Sequence, residues 1–383
     1  MNLRLGIEAS NLRVGGGVTH LRQLLRAADP REFGFSRVVV WAGTTTLEQL
    51  PQEQAWLRLE HHAILDRSLP WRLWWQSVRI ARVAQRECDL LFVPGGSYAG
   101  SFRPFVTMLR NLLPFEASER ARYGWSGMRV KLAVLERAQT ATFRRAAGVI
   151  FLNQYARAEL EHRIGALRAE TAIIPHGVDD RFRFSPRPQK PIAAYSMERP
   201  FRLLYVSSVD MYKHQWIVAE AVARLRQNRV PVSIEFQGPL YGPAWRKLDA
   251  VLRRFDPRGE FLVVKGAVKY DDLPMSYAAA DGFVFASSCE NMPNILLEAM
   301  AAGLPIASSR RGPMPGILGD AGVYFDPESV DETASALQRL LSDVESRARW
   351  AQAAFQKANE FSWTRCASET YRFLARVANE SAR

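Results

Sequence analysis

Cys289-Glu290-Asn291-Met292-Pro293-Asn294-Ile295-Leu296-Leu297-Glu298-Ala299-Met300 decides how the rest of the 383-residue chain is read. The apolar run Gly282-Phe283-Val284-Phe285-Ala286 before it reads as a buried strand. Pro293 then stands where the first turn of a helix should begin, with Asn291 or Ser288 available as its cap. That helix start leaves backbone N–H groups unpaired, expected at Asn294, Ile295 and Leu296, at the positive end of the helix dipole. Such an end accepts an anion, most simply a phosphate. Glu290 in the loop and Glu298 about one turn into the helix bracket it. Glu298 lies on an otherwise apolar segment, where a carboxylate without donors costs several kcal/mol. Sugar hydroxyls would supply those donors.

Two glutamates in this spacing, with Pro-Asn between them and Glu-Ala-Met-Ala-Ala-Gly-Leu-Pro-Ile after, resemble the E-x7-E signature of retaining GT-B glycosyltransferases. The group resembled is the large family 4, which uses nucleotide-diphosphate sugars. The resemblance implies that Glu298 holds the ribose and Glu290 the donor sugar ring. A bare pair of glutamates at this spacing would also fit a solvated loop residue and a carboxylate capping a neighbouring loop. The flanking strand, Pro293 and the apolar run opening at Gly303-Leu304-Pro305-Ile306 favour the first reading.

Length and composition bound the rest. At 383 residues and 48% hydrophobic content, two domains of roughly 180 residues are expected. The net charge of +12 is uneven: residues 1–170 hold 24 Lys and Arg against 15 Asp and Glu, the remainder 27 against 24. A basic first half suits an anionic partner such as a phospholipid or a diphospholipid-linked sugar, and scattered solvated arginines would give the same count. Three widely spaced cysteines suit a reducing compartment. No signal-peptide pattern and no apolar run of about 20 residues appears. A cytoplasmic protein, at most peripheral at the inner face of a membrane, is therefore expected.

In the first half, Leu3–Ala9 reads as a buried strand followed by Gly15-Gly16-Gly17 and a helical pattern. Glycines there permit close approach of backbone to a ligand. The run is no dinucleotide fingerprint, since the glycines are consecutive and His20 stands at the third position. It does resemble the family's Gly-Gly loop, which implies that Gly16 and Gly17 face the donor phosphates and acceptor. Further apolar runs at 37–41, 89–93, 105–109 and 148–152 alternate with helical stretches, as in a doubly wound parallel sheet. Ligands sit beyond the C-terminal ends of such strands, which puts Tyr98, Arg110 and Asn111 in line for the acceptor side. Arg110-Asn111-Leu112-Leu113-Pro114-Phe115 resembles a stretch of a family 4 subgroup that builds cell-surface polysaccharides. Other members carry histidine where Asn111 aligns. The segment 69–82, with Trp71, Trp74, Trp75 and three arginines, reads as a helix that either rests on a membrane or packs its tryptophans into a core. A basic helix is also expected within 124–145.

Ile174-Pro175-His176-Gly177-Val178-Asp179 matches the family's domain junction, with His176 structural rather than catalytic. The Pro- and Arg-rich stretch 179–191 reads as a linker. The second sheet opens at 202–208, and the loop after it carries Lys213, well placed to neutralise phosphate. The resemblance implies that Lys213 grips the donor diphosphate. An arginine usual just before it is here Ser207 or Ser208, so Ser208 is expected to assist. Two strand-and-glycine units follow, ending at Gly238 and at Lys265-Gly266, and the second lies beside the nucleobase in the family.

These readings combine into a GT-B architecture: two Rossmann-like doubly wound parallel-sheet domains facing a central cleft. The first comprises residues 1–178, with a C-terminal helix 363–383 crossing back to it, and the second residues 192–362. The expected function is retaining transfer of a hexose or deoxyhexose from a nucleotide-diphosphate sugar to a glycan or lipid-linked acceptor, in bacterial surface polysaccharide or lipopolysaccharide synthesis. Glu290, Lys213 and Asn111 are the catalytic candidates. Glu298, Asn294, Ile295, Ser208, Gly16, Gly17, Gly238, Lys265 and Gly266 are expected at the donor, and Arg110 and Tyr98 at the acceptor. With no Asp-x-Asp pair and no metal-ligand spacing among six histidines, no metal and no cofactor is expected. A nucleotide-sugar epimerase of similar fold and a silent partner subunit are the alternatives. Nucleic-acid binding has only the basic charge in its favour.

Overall fold

The computed structural model describes residues 2–13 and 15–382. The chain divides into two compact units. Unit 1 comprises Met1–Ala117, Trp125–Gly177 and Ser362–Arg383, and unit 2 comprises Ser118–Gly124 and Val178–Phe361.

Unit 1 holds seven parallel strands: β1 (Leu3–Glu8), β2 (Phe35–Ala42), β3 (Leu57–His61), β4 (Leu90–Val93), β5 (Phe105–Met108), β6 (Gly148–Phe151) and β7 (Glu170–Ile173). They lie in the order β3-β2-β1-β4-β5-β6-β7. β4, β5 and β6 are buried throughout, because helices cover both faces of a parallel sheet and apolar side chains serve both. β3 and β7 form the edges and are half-exposed, so neither shows as an apolar run in the sequence. The helix Trp363–Ser381 packs on the helix Gly16–Ala27, where Tyr371 donates its hydroxyl to the Leu24 carbonyl at 3.3 Å. Gly177 is fixed by this packing: a Cβ there would stand 2.2 Å from the Trp363 nitrogen.

Unit 2 holds six parallel strands: β8 (Phe201–Val206), β9 (Val232–Gln237), β10 (Leu262–Gly266), β11 (Gly282–Phe285), β12 (Ile306–Ser309) and β13 (Val323–Phe325). Their order is β10-β9-β8-β11-β12-β13. The strand order reverses between β8 and β11, which pair in register Gly282 to Leu203 and Phe283 to Leu204. At such a reversal the loops leaving the two C-terminal ends diverge and open a crevice for a ligand.

The stretch 179–191 does not hang free as a linker. Phe182 is fully buried against Tyr270 and Tyr277, with ring centroids 5.6 and 5.5 Å away, and Phe184 donates its N–H to the Ala301 carbonyl at 3.1 Å. Two phenylalanines among the prolines and arginines supply the apolar surface that draws it onto unit 2. The segment 69–82 also departs from one uniform helix, since a π-turn at Trp75–Arg79 separates helices Leu69–Trp74 and Ile80–Glu87. Trp75 is buried with its ring 4.4 Å from His62, whereas Trp71 and Trp74 are exposed. Among the described residues no helix is long and apolar enough to cross a membrane.

Candidate functional site

Two loops at the strand-order reversal of unit 2 carry the main constellation. After β8 the chain runs through 207–214 to the helix Gln215–Gln227, and after β11 it runs through 286–293 to the helix Asn294–Ala301. The loops are joined: Ser288 donates its N–H to the Tyr212 carbonyl at 2.8 Å, and the Tyr205 hydroxyl donates to the Lys213 carbonyl at 2.6 Å while accepting from Ala286 N–H at 3.2 Å. This frame brings Lys213 Nζ onto Glu290 Oε1 as an ion pair, with side chains only 7% and 14% exposed. The ammonium also lies 5.0 and 5.1 Å from the ring centres of Tyr212 and Phe285.

His214, which follows Lys213, adopts φ 50, a left-handed conformation that non-glycine residues hold only when their surroundings dictate it. Its Nε2 meets Ser288 Oγ at 2.9 Å, and burial lowers its pKa to about 4. Ser288 Oγ also donates to Glu119 Oε2 at 2.8 Å. Arg122 binds Glu119 through Nε at 2.7 Å and Glu328 through Nη2 at 2.6 Å, and the Tyr123 hydroxyl donates to Asp210 at 2.8 Å. The segment Ser118–Gly124 thus ties together the loops following β8, β11 and β13. No spacing in the sequence marks it, because its partners lie 87 to 206 positions away.

Pro293 occupies the N-cap position and the helix starts at Asn294; among the described residues no side chain caps it. Ser288 is turned to His214 and Glu119 instead. The Leu296 N–H already bonds the Pro293 carbonyl at 3.0 Å, which narrows the expected anion donors to Asn294 and Ile295. Glu298 is buried on this helix, and its donors are phenols: Tyr277 at 3.0 Å on Oε2 and Tyr270 at 3.3 Å on Oε1. Burial raises its pKa to about 7, against the lowering effect of the two phenols. Each carboxylate oxygen retains a second lone pair for a further hydroxyl. The seven-residue spacing of Tyr270 and Tyr277 is the sole sequence trace of this pair.

Other expected donor residues are placed differently. Gly238 and Gly266 interlock, Gly238 N–H donating to Gly266 O at 2.7 Å, and a Cβ on Gly238 would lie 2.1 Å from Ser207 O. The backbone packing here is sufficient reason for that glycine. The Ser208 carbonyl accepts from Gln215 Nε2 at 2.9 Å, and Lys265 pairs with Glu235 of the adjacent strand at 2.9 Å, so its charge is taken up there.

In unit 1, Arg110 and the glycine loop meet. A Cβ on Gly17 would stand 3.1 Å from Arg110 Nη1, which is buried without a hydrogen-bond partner among the described residues, and burial lowers the guanidinium pKa to about 10. Gly16 opens the helix Gly16–Ala27. Asn111 uses its side-chain oxygen to accept Leu113 N–H at 3.0 Å, closing its own turn. Tyr98 is a packing residue rather than an acceptor contact: it is buried on Phe105 with rings 4.8 Å apart, and its hydroxyl accepts from Phe102 N–H at 3.2 Å. At the end of β1, Glu8 is buried, holds Gln76 Nε2 at 2.8 Å and has its pKa raised to about 7 by desolvation.

Residues 14–182 match the Glycosyltransferase Family 4 family, and residues 200–343 match Glycosyl transferases group 1. The chain belongs to the family 4 glycosyltransferases. It is 32% identical over 171 residues to the O-antigen chain mannosyltransferase B of Escherichia coli, covering 44% of each chain. It is 29% identical over 234 residues to a GDP-mannose-dependent alpha-(1-6)-phosphatidylinositol monomannoside mannosyltransferase of Mycobacterium tuberculosis, covering 57% of this chain and 58% of that one. The chain thus spans about half the length of these curated relatives. Among solved structures it resembles HepE of Anabaena in complex with UDP, with TM-score 0.70 and 18% identity over 98% of this chain and 100% of that one. As a family 4 glycosyltransferase the chain has the GT-B type of fold, built from two Rossmann-like parallel-sheet units.

Proposed function

We propose that this glycosyltransferase moves a hexose, with retention of configuration, from a nucleotide-diphosphate sugar to a glycan or lipid-linked acceptor of bacterial surface polysaccharide. The observation that carries this reading is the Lys213–Glu290 pair at the strand-order reversal, next to a helix that bears buried Glu298. Lys213 and the N–H groups of Asn294 and Ile295 take the charge of the departing diphosphate, and Glu298 accepts hydroxyls of the ribose. Glu290 shares Lys213 with the incoming phosphate and contacts the sugar ring. No step is assigned to a metal. Mannose is the first sugar to test, supported by the two mannosyltransferase relatives.

Unit 1 supplies the acceptor side through Arg110, next to the Gly16-Gly17 loop that faces the donor phosphates and the acceptor. Its exposed Leu69, Trp71, Leu73 and Trp74, with Arg67 stacked 5.1 Å over Trp71, rest on an anionic lipid surface in this reading.

The test is a thermal-shift screen against UDP, GDP, dTDP, ADP and CMP, each alone and with its common sugars, repeated on Glu298→Ala. A rise in Tm selective for one base, absent in the variant, supports the donor site by mass action on the folded state. Equal shifts in both proteins, or none in either, overturn it. Incubation with the selected sugar nucleotide separates transfer from epimerisation, which would yield a new free sugar nucleotide.

A further inference from the structure

Three side chains with metal-binding atoms meet in unit 1, and the transfer reaction uses none of them. They are His20 on the helix Gly16–Ala27, His176 after β7 and Cys366 on the helix Trp363–Ser381. Each is at most 3% exposed, and their ligand atoms all lie within 4.8 Å of one another. Cys366 Sγ stands 3.9 Å from His20 Nε2. The two imidazole centroids are 4.9 Å apart, and the Trp363 ring lies 5.8 Å from one and 5.6 Å from the other.

Hydrogen bonding accounts for only part of the cluster, through the long contact between Cys366 Sγ and His20 Nε2. His20 Nδ1 and His176 Nδ1 are both buried without a partner among the described residues. An unsatisfied buried polar atom is costly, and two side by side call for a ligand. A neutral imidazole carries one ring lone pair that can bind an ion.

We propose that His20, His176 and Cys366 form a binding site for a thiophilic d10 cation, Zn2+ or Cu+. Two imidazoles and one thiolate select these ions over Mg2+, Ca2+ or Mn2+, which take oxygen ligands. On ligation the Cys366 thiol releases its proton to solvent and its sulfur lone pair forms the bond to the ion; nothing is oxidised or reduced. Arg110, whose charge acts on both histidines, disfavours a bare dication here. The thiolate offsets this, bringing Zn2+ to a net charge of one and Cu+ to zero. Ligand atoms bound at ~2.0–2.3 Å stand roughly 3.5 Å apart, so the site closes by about an ångström on binding. Because its ligands come from the first helix, the Pro-His-Gly junction and the C-terminal helix, the ion staples three segments separated by 156 and 190 positions of sequence. That separation is why no metal-ligand spacing is visible in the sequence.

The test uses the full chain, stripped with a chelator. It is titrated with Zn2+ against a chromogenic competitor, with Co2+ while following the thiolate-to-cobalt charge-transfer band, and with Cu+ against bicinchoninate. Stoichiometric uptake of a single Zn2+ or Cu+ by the wild-type chain, lost in Cys366→Ser and in His176→Ala, is expected, and the titration that saturates tells the two ions apart. A cobalt band present in wild type and absent in Cys366→Ser identifies the sulfur as ligand. Failure of the wild-type chain to take up either ion overturns the proposal. So does uptake undiminished in Cys366→Ser, which would assign the ion to another cysteine. Circular dichroism of each variant separates loss of the site from loss of the fold.

Discussion

Lys213 and Glu290 are nearly removed from water and neutralise each other, so deleting either leaves a buried charge alone. Breaking such a pair costs about 3–5 kcal/mol. Lys213→Ala is therefore expected to lower urea-unfolding stability by that amount and, under conditions where it stays folded, to reduce transfer at least ~10-fold, the loss of one phosphate donor at about 1.4 kcal/mol or more. Wild-type turnover in this variant would remove Lys213 from the site. Glu298 makes a prediction about pH. Its folded pKa of about 7 lies above the ordinary 4.5, so the native state holds the proton more tightly than the unfolded chain. Stability from this group is fully present below pH ~4.5 and is lost as pH rises through about 7. The loss is on the order of 3 kcal/mol at about 1.36 kcal/mol per pKa unit. Glu298→Gln should flatten the fall in stability between pH 5 and 8, leaving the part due to Glu8, whose pKa is raised in the same direction. An identical slope in wild type and variant would show that Glu298 titrates normally. Donor affinity should follow the opposite course, strengthening through pH ~7 as the carboxylate that accepts ribose hydroxyls ionises.

The segment Ser118–Gly124 acts as a unit, because Glu119 holds Arg122 and Ser288 while Tyr123 holds Asp210. Glu119→Ala removes one of the two carboxylate partners of Arg122, leaving Glu328, and removes an acceptor of the Ser288 hydroxyl, at an expected cost of about 1–3 kcal/mol. Since Ser288 and His214 flank Glu290 and Lys213, the variant should raise the donor KM, and Glu119→Gln, which retains an acceptor, should restore part of it. An unchanged KM with lowered Tm would make the segment purely structural. Neither this segment nor β3 and β7 could be read from the sequence, and the reasons differ. Strands β4, β5, β6 and β11 show as apolar runs because both their faces are buried, whereas edge strands mix exposed and buried positions. Glu290, Glu298 and Lys213 were legible because the turn and helix chemistry around them is local. Tyr270 and Tyr277 reach Glu298, and Glu119 reaches Ser288, across 21 to 169 residues, a distance that only the fold specifies. Trp75 could not be told from Trp71 and Trp74 because all three stand within one helical stretch, and its burial against His62 is a contact that only the fold specifies.

Across the whole molecule, charge and exposed apolar surface are unevenly shared. Residues 1–170 carry an excess of nine positive charges and the rest an excess of three. The same first portion holds the exposed side chains Leu69, Trp71, Leu73, Trp74, Val78, Trp125, Val130 and Val134. Solvated arginines alone would account for the charge but not for tryptophans in water. An anionic bilayer accounts for both, because interfacial tryptophans bury their rings at the headgroup level while arginines neutralise lipid phosphate. The two contributions respond differently to salt. Each cation near the surface contributes about 1 kcal/mol and is screened within a Debye length of ~8 Å at physiological ionic strength, whereas ring burial is not screened. The purified chain should therefore co-sediment with vesicles containing phosphatidylglycerol and less with neutral phosphatidylcholine vesicles, and added salt should weaken the first without abolishing it. Trp71→Ser combined with Trp74→Ser should remove the salt-resistant part while leaving the nucleotide-induced rise in Tm intact, since both rings belong to unit 1 and the Lys213–Glu290 loops to unit 2. If the double variant binds vesicles as wild type does at high salt, these tryptophans are not the contact. The charge excess of the first 170 residues would then be left to solvated arginines, which account for it without a bound anion.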